Sequence, residues 1–505
     1  MFFENLNFFI LPFLIVITLS SVMGFGLFIH KVIGVYESDI QFKNLFFFQG
    51  LIFVGLAFIF INFFFPISDT ISFFTILLGL IIYIYYFFKL NNKKQELIFI
   101  FSVTLISLFY SVFAGLNDDF PYHYETIKNF KNKILFEIEH HRMISYNSHW
   151  LFLNSIFSIS IFTSTLFILT SLLFSISIYD FYNIIIKFIG NKERYISTLS
   201  FFSLIFILGI LHKYKDLGTD GPGAIINIYI LIILSYHFFD KKNVTSNNIF
   251  IIILILCQFS FMIKITNTLI YLFLIFLIFK FKFKKINFLL FLFVCLIPVP
   301  WLFQNYIISN CLIWPISFTC FSNPDQAIQE TYLIESFAKG DITTTMNLNG
   351  LSWIKIWLIN HSSKLIETYF LYTLILFIPF ILISFNKKYN KIGLIKFVKK
   401  NFFNKNYLII FFIICISNLV WFVYAPAYRF GIFYNLSLII IFFIPIWLFV
   451  NETNSNLLIN YSKIILILVS IYFVFENIRK VDWYLKRYDI WPPIYEGKIL
   501  DRKSF

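Results

Sequence analysis

The chain has 505 residues, of which 59% are hydrophobic and only 13% are charged. Soluble domains carry about 25% charged residues, so this composition excludes a water-soluble globular enzyme. It also excludes disorder, which requires low hydrophobicity and high charge. The net charge of +14 lies in short clusters between apolar runs and not on one soluble face, which excludes a nucleic-acid-binding surface.

Apolar runs suited to membrane-spanning helices recur along the whole chain. A spanning helix needs about 20 mostly apolar residues, and the sequence predicts about 12–14 of them. We therefore expect an all-α fold, a polytopic transmembrane helical bundle, in which the 73 phenylalanines mainly face lipid. In chain order the runs cover approximately 8–29, 46–64, 71–88, 96–113, 163–187, 195–211, 222–239, 249–263, 265–279, 286–303, 365–385, 406–424, 430–449 and 457–475.

Lysine and arginine clusters between these runs predict the orientation of the chain. Cytoplasmic loops are enriched in both residues, and placing every cluster on that side lets the spans alternate without contradiction. Both chain ends then lie outside, with the segments 114–149, 212–221 and 304–364. We expect an integral protein of a bacterial inner (plasma) membrane whose active site faces outward. The clusters are Lys89, Lys93 and Lys94; Lys187, Lys192 and Arg194; Lys241 and Lys242; Lys280, Lys282, Lys284 and Lys285; and 387–405.

The stretch 249–279 lies between two basic clusters and must cross the membrane an even number of times. Two crossings leave only about fifteen residues each, and they meet at the polar sequence Lys264-Ile265-Thr266-Asn267-Thr268. Short or broken helices that meet at a polar point form cavities within membrane proteins. The sequence therefore predicts a helix interruption at Lys264.

An acidic pair, Asp118 and Asp119, follows the fourth span and precedes Pro121. Proline is favoured in the first turn of a helix, and we predict a surface helix over 122–137 with both carboxylates near its positive end. Adjacent carboxylates can hold a divalent cation, or one can act as general base while the other tunes its pKa. An ordinary capped, solvated loop would also explain the pair.

A second acidic motif contains Asp216 and Asp220, with Gly218 and Gly221 permitting a tight turn. Such a turn can present both carboxylates to one point. All four aspartates are therefore candidate catalytic residues, and Asp119 with Asp220 are candidate ligands of Mg²⁺ or Mn²⁺. The alternative is that these glycines and aspartates only form an ordinary turn between two spans.

Two cationic residues occur beside apolar runs. Lys264 lies within apolar sequence, and Arg429 lies between two span ends that face outward. Ionisable residues within a membrane are functional candidates by default, and an ammonium with a guanidinium suits a phosphate or pyrophosphate. Together with His123 they are our candidate phosphate-binding residues. Snorkelling to lipid headgroups is the alternative for both cations.

The remaining histidines and cysteines give weaker signals. The spacing of His140, His141 and His149 does not match a tetrahedral zinc site, and His149 is better explained as an interfacial anchor. Cys311 and Cys320 share a polar loop, and they can form a disulfide if that loop faces an oxidising compartment.

Taken in order, these motifs resemble those of the GT-C superfamily of membrane glycosyltransferases, which take a sugar from a polyprenyl-phosphate carrier. The resemblance covers roughly 96–450. In this chain Gln304 stands where members often carry arginine, and four spans, not one, precede the acidic pair. The matching features are the acidic pair with Tyr122-His123 and a surface helix; the loop with Asp216 and Asp220; Lys264-Ile265-Thr266 between short helices; and Gln304-Asn305-Tyr306-Ile307-Ile308 with Trp314-Pro315, followed by Tyr428-Arg429-Phe430.

The resemblance implies a GT-C-like bundle with outer-facing catalytic loops, which transfers a hexosyl or pentosyl group from a lipid-linked sugar donor. The acceptor would be a glycan, a lipid or a protein. Asp118 or Asp119 would be the base, and Lys264 and Arg429 would hold the carrier phosphate. The chain then divides into an N-terminal transmembrane extension (1–95), a catalytic core (96–450), and a last span with an outer tail (451–505).

Two other functions are compatible with the same residues. A transporter or flippase of lipid-linked saccharides would use them to line a pathway, although transporters usually show internal repeats and none is apparent. An O-antigen-type polymerase or ligase would depend on arginine and histidine in a large outer loop. Here the segment 304–364 contains no arginine and one histidine, His361.

Overall fold

The computed structural model describes residues 2–33, 42–112, 120–140, 144–188, 194–211, 217–240, 247–280, 288–322, 324–340, 351–385, 391–453, 455–487, 494–495 and 498–499. Within these ranges the chain is almost entirely helical, with twenty α-helices and one short antiparallel hairpin near the C-terminus.

The helices follow the apolar runs closely. In chain order they are α1 (Phe2–Ile33), α2 (Lys43–Asn62), α3 (Asp69–Lys89), α4 (Lys93–Val112), α5 (Phe120–Asn132), α6 (His149–Phe157), α7 (Ile168–Phe188), α8 (Arg194–Gly209), α9 (Asp220–Ser235), α10 (Asn247–Ile263), α11 (Tyr271–Lys280), α12 (Phe288–Cys295), α13 (Val299–Ser309), α14 (Pro324–Lys339), α15 (Trp353–Leu365), α16 (Leu371–Phe385), α17 (Lys391–Phe402), α18 (Lys405–Tyr424), α19 (Ile432–Thr453) and α20 (Ser455–Arg487). The hairpin strands are β1 (Ile494–Tyr495) and β2 (Lys498–Ile499).

Ten helical segments in the described ranges are long and apolar enough to cross a membrane, and three shorter apolar helices accompany them. Helices satisfy their own backbone hydrogen bonds, which is why they can lie in lipid. The protein is therefore a multi-pass integral membrane protein built as an all-α bundle, as its composition predicts. All fourteen predicted runs overlap described helices, but only ten of them correspond to the segments long enough to cross a membrane. The runs 195–211, 249–263 and 265–279 correspond to the three shorter helices, and 365–385 belongs to neither group.

The phenylalanines are divided between the outside of the bundle and its core. Phe101 and Phe279 expose 66% and 84% of their surface, as expected for lipid-facing side chains. Phe47 and Phe99, by contrast, are completely buried between helices. The expectation that phenylalanine mainly faces lipid therefore holds for only part of the set, because the same ring also fills space between packed helices.

A buried polar network ties the helices together at one end, which we call the basic end. The Asp180 carboxylate accepts hydrogen bonds from the backbone N–H groups of Lys43 and Asn44, both at 3.0 Å. It also accepts one from the Tyr229 hydroxyl at 3.0 Å. Since the first N–H groups of a helix have no partner within it, Asp180 caps α2 and joins it to α7 and α9. The Lys43 ammonium forms an ion pair with Glu96 of α4.

Glycines bring α1 very close to its neighbours. A Cβ atom on Gly24 would lie 2.1 Å from the carbonyl oxygen of Gly79 in α3. One on Gly26 would lie 1.8 Å from the carbonyl oxygen of Phe46 in α2. Small residues let membrane helices approach at backbone distance, so the first three spans form one tight group. They also pack against α6 and α7, which belong to the predicted core.

An ion pair marks the opposite end, which we call the polar end. Lys131 of α5 donates to Asp69 at the start of α3 over 2.6 Å, and Asp69 also accepts a hydrogen bond from the Ser160 N–H at 3.0 Å. Burial lowers the pKa of Lys131, while the bond to Asp69 opposes that shift. These contacts join α3 and α5 to the turn before α7.

Candidate functional site

Three of the predicted site residues meet at the polar end. The Lys264 ammonium donates to one carboxylate oxygen of Asp220, and Arg429 Nε lies 4.0 Å from the other. The sequence assigned Asp220 to a loop, but it is the first residue of α9. Its carboxylate therefore lies at the positive end of that helix and is held by two cations as well.

An aromatic ring lies beside the two cations. The Lys264 ammonium is 3.9 Å from the centre of the Phe430 ring, and the Arg429 guanidinium carbon is 5.4 Å from it. The side chains of Asp220 and Lys264 expose only 14% and 16% of their surface, whereas Arg429 exposes 33%. Cation–π contacts strengthen when water is excluded, so the Phe430 ring helps to stabilise the positive charges of Lys264 and Arg429 in this partly buried site.

A break between two short helices positions Lys264. Helix α10 ends at Ile263, Lys264 is extended, and a 3-10 segment follows over Ile265–Ile270. The predicted interruption of 249–279 is thereby confirmed. Asn267 fixes the break, because its amide nitrogen donates to the carbonyl oxygen of Ser260 at 3.1 Å.

The side of the break that faces α9 is held by an amide network. Asn227 donates to Asn267 Oδ1 at 3.3 Å and accepts a hydrogen bond from the Ser260 hydroxyl at 2.6 Å. Gly223 makes room for the network, since a Cβ atom there would lie 2.4 Å from Asn267 Nδ2. The Asp220 end of α9 and the Lys264 break are consequently fixed to each other.

Two tryptophans position the segment that carries Arg429. The Trp357 indole donates to the carbonyl oxygen of Pro426 at 2.7 Å, and the Trp421 indole donates to that of Ala427 at 3.0 Å. Further on, the Tyr434 hydroxyl donates to the carbonyl oxygen of Thr266 at 3.1 Å. The chain that bears Arg429 is thus joined directly to the chain that bears Lys264.

His123, the third candidate phosphate-binding residue, lies on α5. The predicted helix over 122–137 is observed as α5 followed by a 3-10 turn at Leu135–Glu137. His123 is buried, and its ring centre is 4.7 Å from that of Tyr122. Helix α5 packs against α6, and Ser148, which caps α6, donates to the carbonyl oxygen of Ile263 at 2.7 Å. His123 therefore lies at the same end of the bundle as Lys264.

The other predicted acidic residues fall outside the described residues. Asp118 and Asp119 belong to the stretch between Val112, where α4 ends, and Phe120, where α5 begins. Asp216 lies just before Leu217, where description resumes. The roles of all three stay predictions.

Helical structure occupies much of the segment 304–364, which the sequence treats as one large loop. Helix α13 continues to Ser309, and α14 and α15 follow. Cys311 and Cys320 form a disulfide, a pairing that the sequence left open. Asn305 and Gln304 both accept hydrogen bonds from the Asn147 amide, at 2.7 and 3.2 Å. Gln304 is completely buried and holds the neighbouring chain segment at Asn147.

His149 is not the interfacial anchor that the sequence indicates. Its side chain and that of the following Trp150 are completely buried in α6. Burial lowers the pKa of His149 to about 3, because the charged imidazole would lose its water. Sequence reasoning also missed Asn147, which adopts a left-handed conformation and whose carbonyl oxygen accepts from Trp301 at 2.9 Å. The Asn147-Ser148 pair before an apolar run is the helix-start signal that could have revealed it.

No group of three or more acidic, histidine or cysteine side chains that could hold a metal ion occurs among the described residues. Of the two candidate metal ligands, Asp119 lies outside them, and Asp220 directs its carboxylate at Lys264 and Arg429. A divalent cation at Asp220 would be repelled by both partners. The described geometry therefore does not fit a metal at Asp220, and Mg²⁺ or Mn²⁺ stays a prediction.

A protein-family model described as "Domain of unknown function (DUF8201)" matches residues 8–436, more than four-fifths of the chain. No curated protein and no solved structure matches the sequence significantly.

Proposed function

Because the chain belongs to this family of domains of unknown function (DUF8201), we propose its function from the chemistry of the site. The protein is a membrane glycosyltransferase that moves a sugar from a polyprenyl-phosphate carrier to an acceptor hydroxyl on the outer face of the membrane. The observation that carries this proposal is the meeting of Lys264, Arg429 and Asp220 at one end of a membrane-spanning bundle.

The two cations support an anionic ligand with a phosphate group. A guanidinium offers several N–H donors and an ammonium offers a compact positive charge, and phosphate accepts hydrogen bonds from both. Asp220 contacts both cations, one with each of its carboxylate oxygens. Arg429, whose side chain is one-third exposed, is the group that an incoming phosphate meets first.

The surroundings of the site support a carrier with a long apolar tail. Lys264 and Arg429 lie at the ends of α10 and α19, beside spans whose outward-facing side chains are apolar. A lipid-linked phosphate can place its headgroup at such a span end while its tail stays in the membrane. A water-soluble phosphate ester would contact the same two cations but would gain nothing from the apolar spans beside them.

In the proposed reaction, an acceptor hydroxyl oxygen attacks C1 of the donor sugar. The bond from C1 to the phosphate oxygen breaks, and its electron pair leaves with the polyprenyl phosphate. Asp118 or Asp119 takes the hydroxyl proton as general base, with Asp216 assisting. Lys264 and Arg429 stabilise the negative charge that grows on the departing phosphate. Direct displacement inverts the configuration at C1.

The test is a membrane assay that follows labelled sugar from polyprenyl-phosphate donors into products separated by chromatography. Replacing a charged hydrogen-bonding group costs roughly 1.5–3 kcal/mol. We therefore expect Lys264→Gln and Arg429→Gln each to raise the donor KM by about 10-fold to 100-fold. The variants Lys486→Gln and Arg479→Gln, on an exposed part of α20, remove the same charges and should leave KM unchanged.

Three outcomes contradict parts of the proposal. Full activity in the Asp118→Asn, Asp119→Asn double variant would exclude both residues as the base. Equal KM values in the site variants and their α20 controls would remove the phosphate assignment. Movement of labelled donor across the membrane without any covalent product would favour the transporter or flippase, and chain extension of a lipid-linked glycan would favour the polymerase.

A further inference from the structure

Helix α17 is a lysine-rich helix at the basic end of the bundle. The surrounding sequence 386–406 contains seven lysines and no acidic residue. Clusters of about four to eight basic residues beside a membrane-crossing helix are typical of segments that bind an anionic surface, in addition to orienting the span.

The inner side of α17 is fixed against the bundle. Leu394 is buried, and the Phe397 ring centre lies 5.5 Å from that of Phe449 in α19. Asn401 accepts a hydrogen bond from the Tyr195 hydroxyl of α8 at 3.2 Å. These contacts come from two different helices, so they determine which side of α17 faces away.

The outer side of α17 combines positive charge with apolar surface. Lys396, Lys399 and Lys400 are exposed. Ile395 and Phe403 lie among them and expose 56% and 67% of their surface. An acidic protein or a soluble polyanion would pair with the lysines but would leave both apolar side chains in water.

The position of α17 matches the surface of a membrane. The helix ends at Phe402, and the membrane-crossing helix α18 begins three residues later at Lys405. This places the C-terminal end of α17 where α18 enters the apolar layer. Basic amphipathic helices in this position insert apolar side chains below the headgroups and keep lysines among them.

We infer that α17 is a membrane-surface helix whose lysines bind the headgroups of anionic phospholipids while Ile395 and Phe403 insert between the lipids. The lysines then recruit a particular class of lipid to one side of the protein. This inference does not depend on the proposed glycosyl transfer, since the two ends of the bundle are chemically separate.

The experiment places the full-length protein in nanodiscs that contain equal amounts of phosphatidylglycerol and phosphatidylcholine. Lipids that stay bound after detergent extraction are counted by mass spectrometry. The parent protein should be enriched in phosphatidylglycerol. Each lysine near an anionic surface strengthens binding by about fivefold, so the triple variant Lys396→Gln, Lys399→Gln, Lys400→Gln should lose most of the enrichment. The parent protein should also lose enrichment in 0.5 M salt, which shortens the screening length about twofold relative to physiological salt.

The matched control removes three lysines at the same end of the bundle, Lys89→Gln, Lys93→Gln and Lys94→Gln. These lie at the end of α3 and the start of α4, where Lys89 and Lys93 contact the rings of Tyr85 and Phe88. The control should keep the phosphatidylglycerol enrichment, and both triple variants should unfold at the parent temperature. Equal losses in the two triple variants would overturn the inference, because net charge alone would then explain the binding. Preference for an acidic peptide over phosphatidylglycerol would overturn it as well.

Discussion

His149 should make the stability of this protein sensitive to acid. The side chain is completely buried in α6, and both ring nitrogens lie without a hydrogen-bond partner among the described residues. It packs closely on Gly55, where an added Cβ atom would lie 2.3 Å from Nε2, and its ring stacks on Phe152 at 5.9 Å. There is no room in this packing for the water that a charged imidazole requires.

The direction of the effect follows from the lowered pKa. His149 has an ordinary pKa of 6.5 in the unfolded chain and a pKa of about 3 in the folded one. Between these values the unfolded chain binds more protons, so stability is full above pH 6.5 and falls as the pH drops toward 3. The loss at pH 5 amounts to about 2 kcal/mol, and the whole window to roughly 5 kcal/mol.

The variant His149→Leu tests this reasoning, because leucine fills a similar volume and cannot titrate. The measurement is the free energy of unfolding of the purified protein in detergent micelles, at several pH values from 9 to 5. At pH 8 the variant should be at least as stable as the parent, since it removes two buried nitrogens that lack partners. At pH 5 it should be more stable than the parent by about 2 kcal/mol beyond any difference at pH 8.

The interval from pH 9 to pH 8 is the internal control. His149 is neutral there in both the folded and the unfolded chain, so the parent and the variant should show parallel curves. If the unfolding free energies of the parent and the variant stayed parallel down to pH 5, the argument would be refuted. A buried histidine with its pKa near 3 must make the parent's unfolding free energy fall as the pH drops below 6.5.

Two further predictions concern the close packing at Gly223 and the disulfide between Cys311 and Cys320. Gly223→Ala should displace the Asn267 amide 2.4 Å away, lower the unfolding free energy by about 1–3 kcal/mol and weaken donor binding. A Cβ atom at Gly209 would meet nothing within 4 Å, so Gly209→Ala should leave the unfolding free energy in detergent micelles unchanged or slightly higher. Equal losses of unfolding free energy in the two glycine variants would contradict the packing argument. Cys311→Ser and Cys320→Ser each open a bridge between residues nine apart, and each should lower the unfolding free energy by about 2–3 kcal/mol. Reducing agent should lower the parent to the same value and leave the variants unchanged; a change in the variants would contradict the assignment.

The spans and the broken pair α10–α11 could be predicted because the membrane imposes simple rules on the sequence. A lipid-crossing helix must be apolar over about 20 residues, and ten helical segments among the described residues meet that rule. The interruption at Lys264 was visible for the same reason, since a lysine with Thr266 and Asn267 cannot continue a lipid-facing helix without partners.

The contacts between distant segments could not be predicted in the same way. Nothing local to Asp180 indicates that it caps α2, and nothing local to His149 distinguishes a buried imidazole from an interfacial one. Polar residues in an apolar run carry the same sequence signal whether they face a neighbouring helix, a cavity or the headgroups. Only the packing of helices decides among these, and that packing cannot be read from the local pattern around a residue. Helix α14 was missed because its pattern, half polar and half apolar, also fits a loop.

The contacts of Asp220 divide the four candidate aspartates by role. A general base must accept a proton in the transition state, and a carboxylate already bonded to Lys264 and close to Arg429 would lose those interactions when protonated. Asp220 is therefore better suited to holding the two cations in place than to removing a proton. In the proposed reaction the base is Asp118 or Asp119, Asp216 assists it, and Asp220 acts as a positioning residue for the phosphate-binding pair. The second acidic motif thus contributes to donor binding through Asp220. The four-residue spacing of Asp216 and Asp220 does not by itself indicate this role.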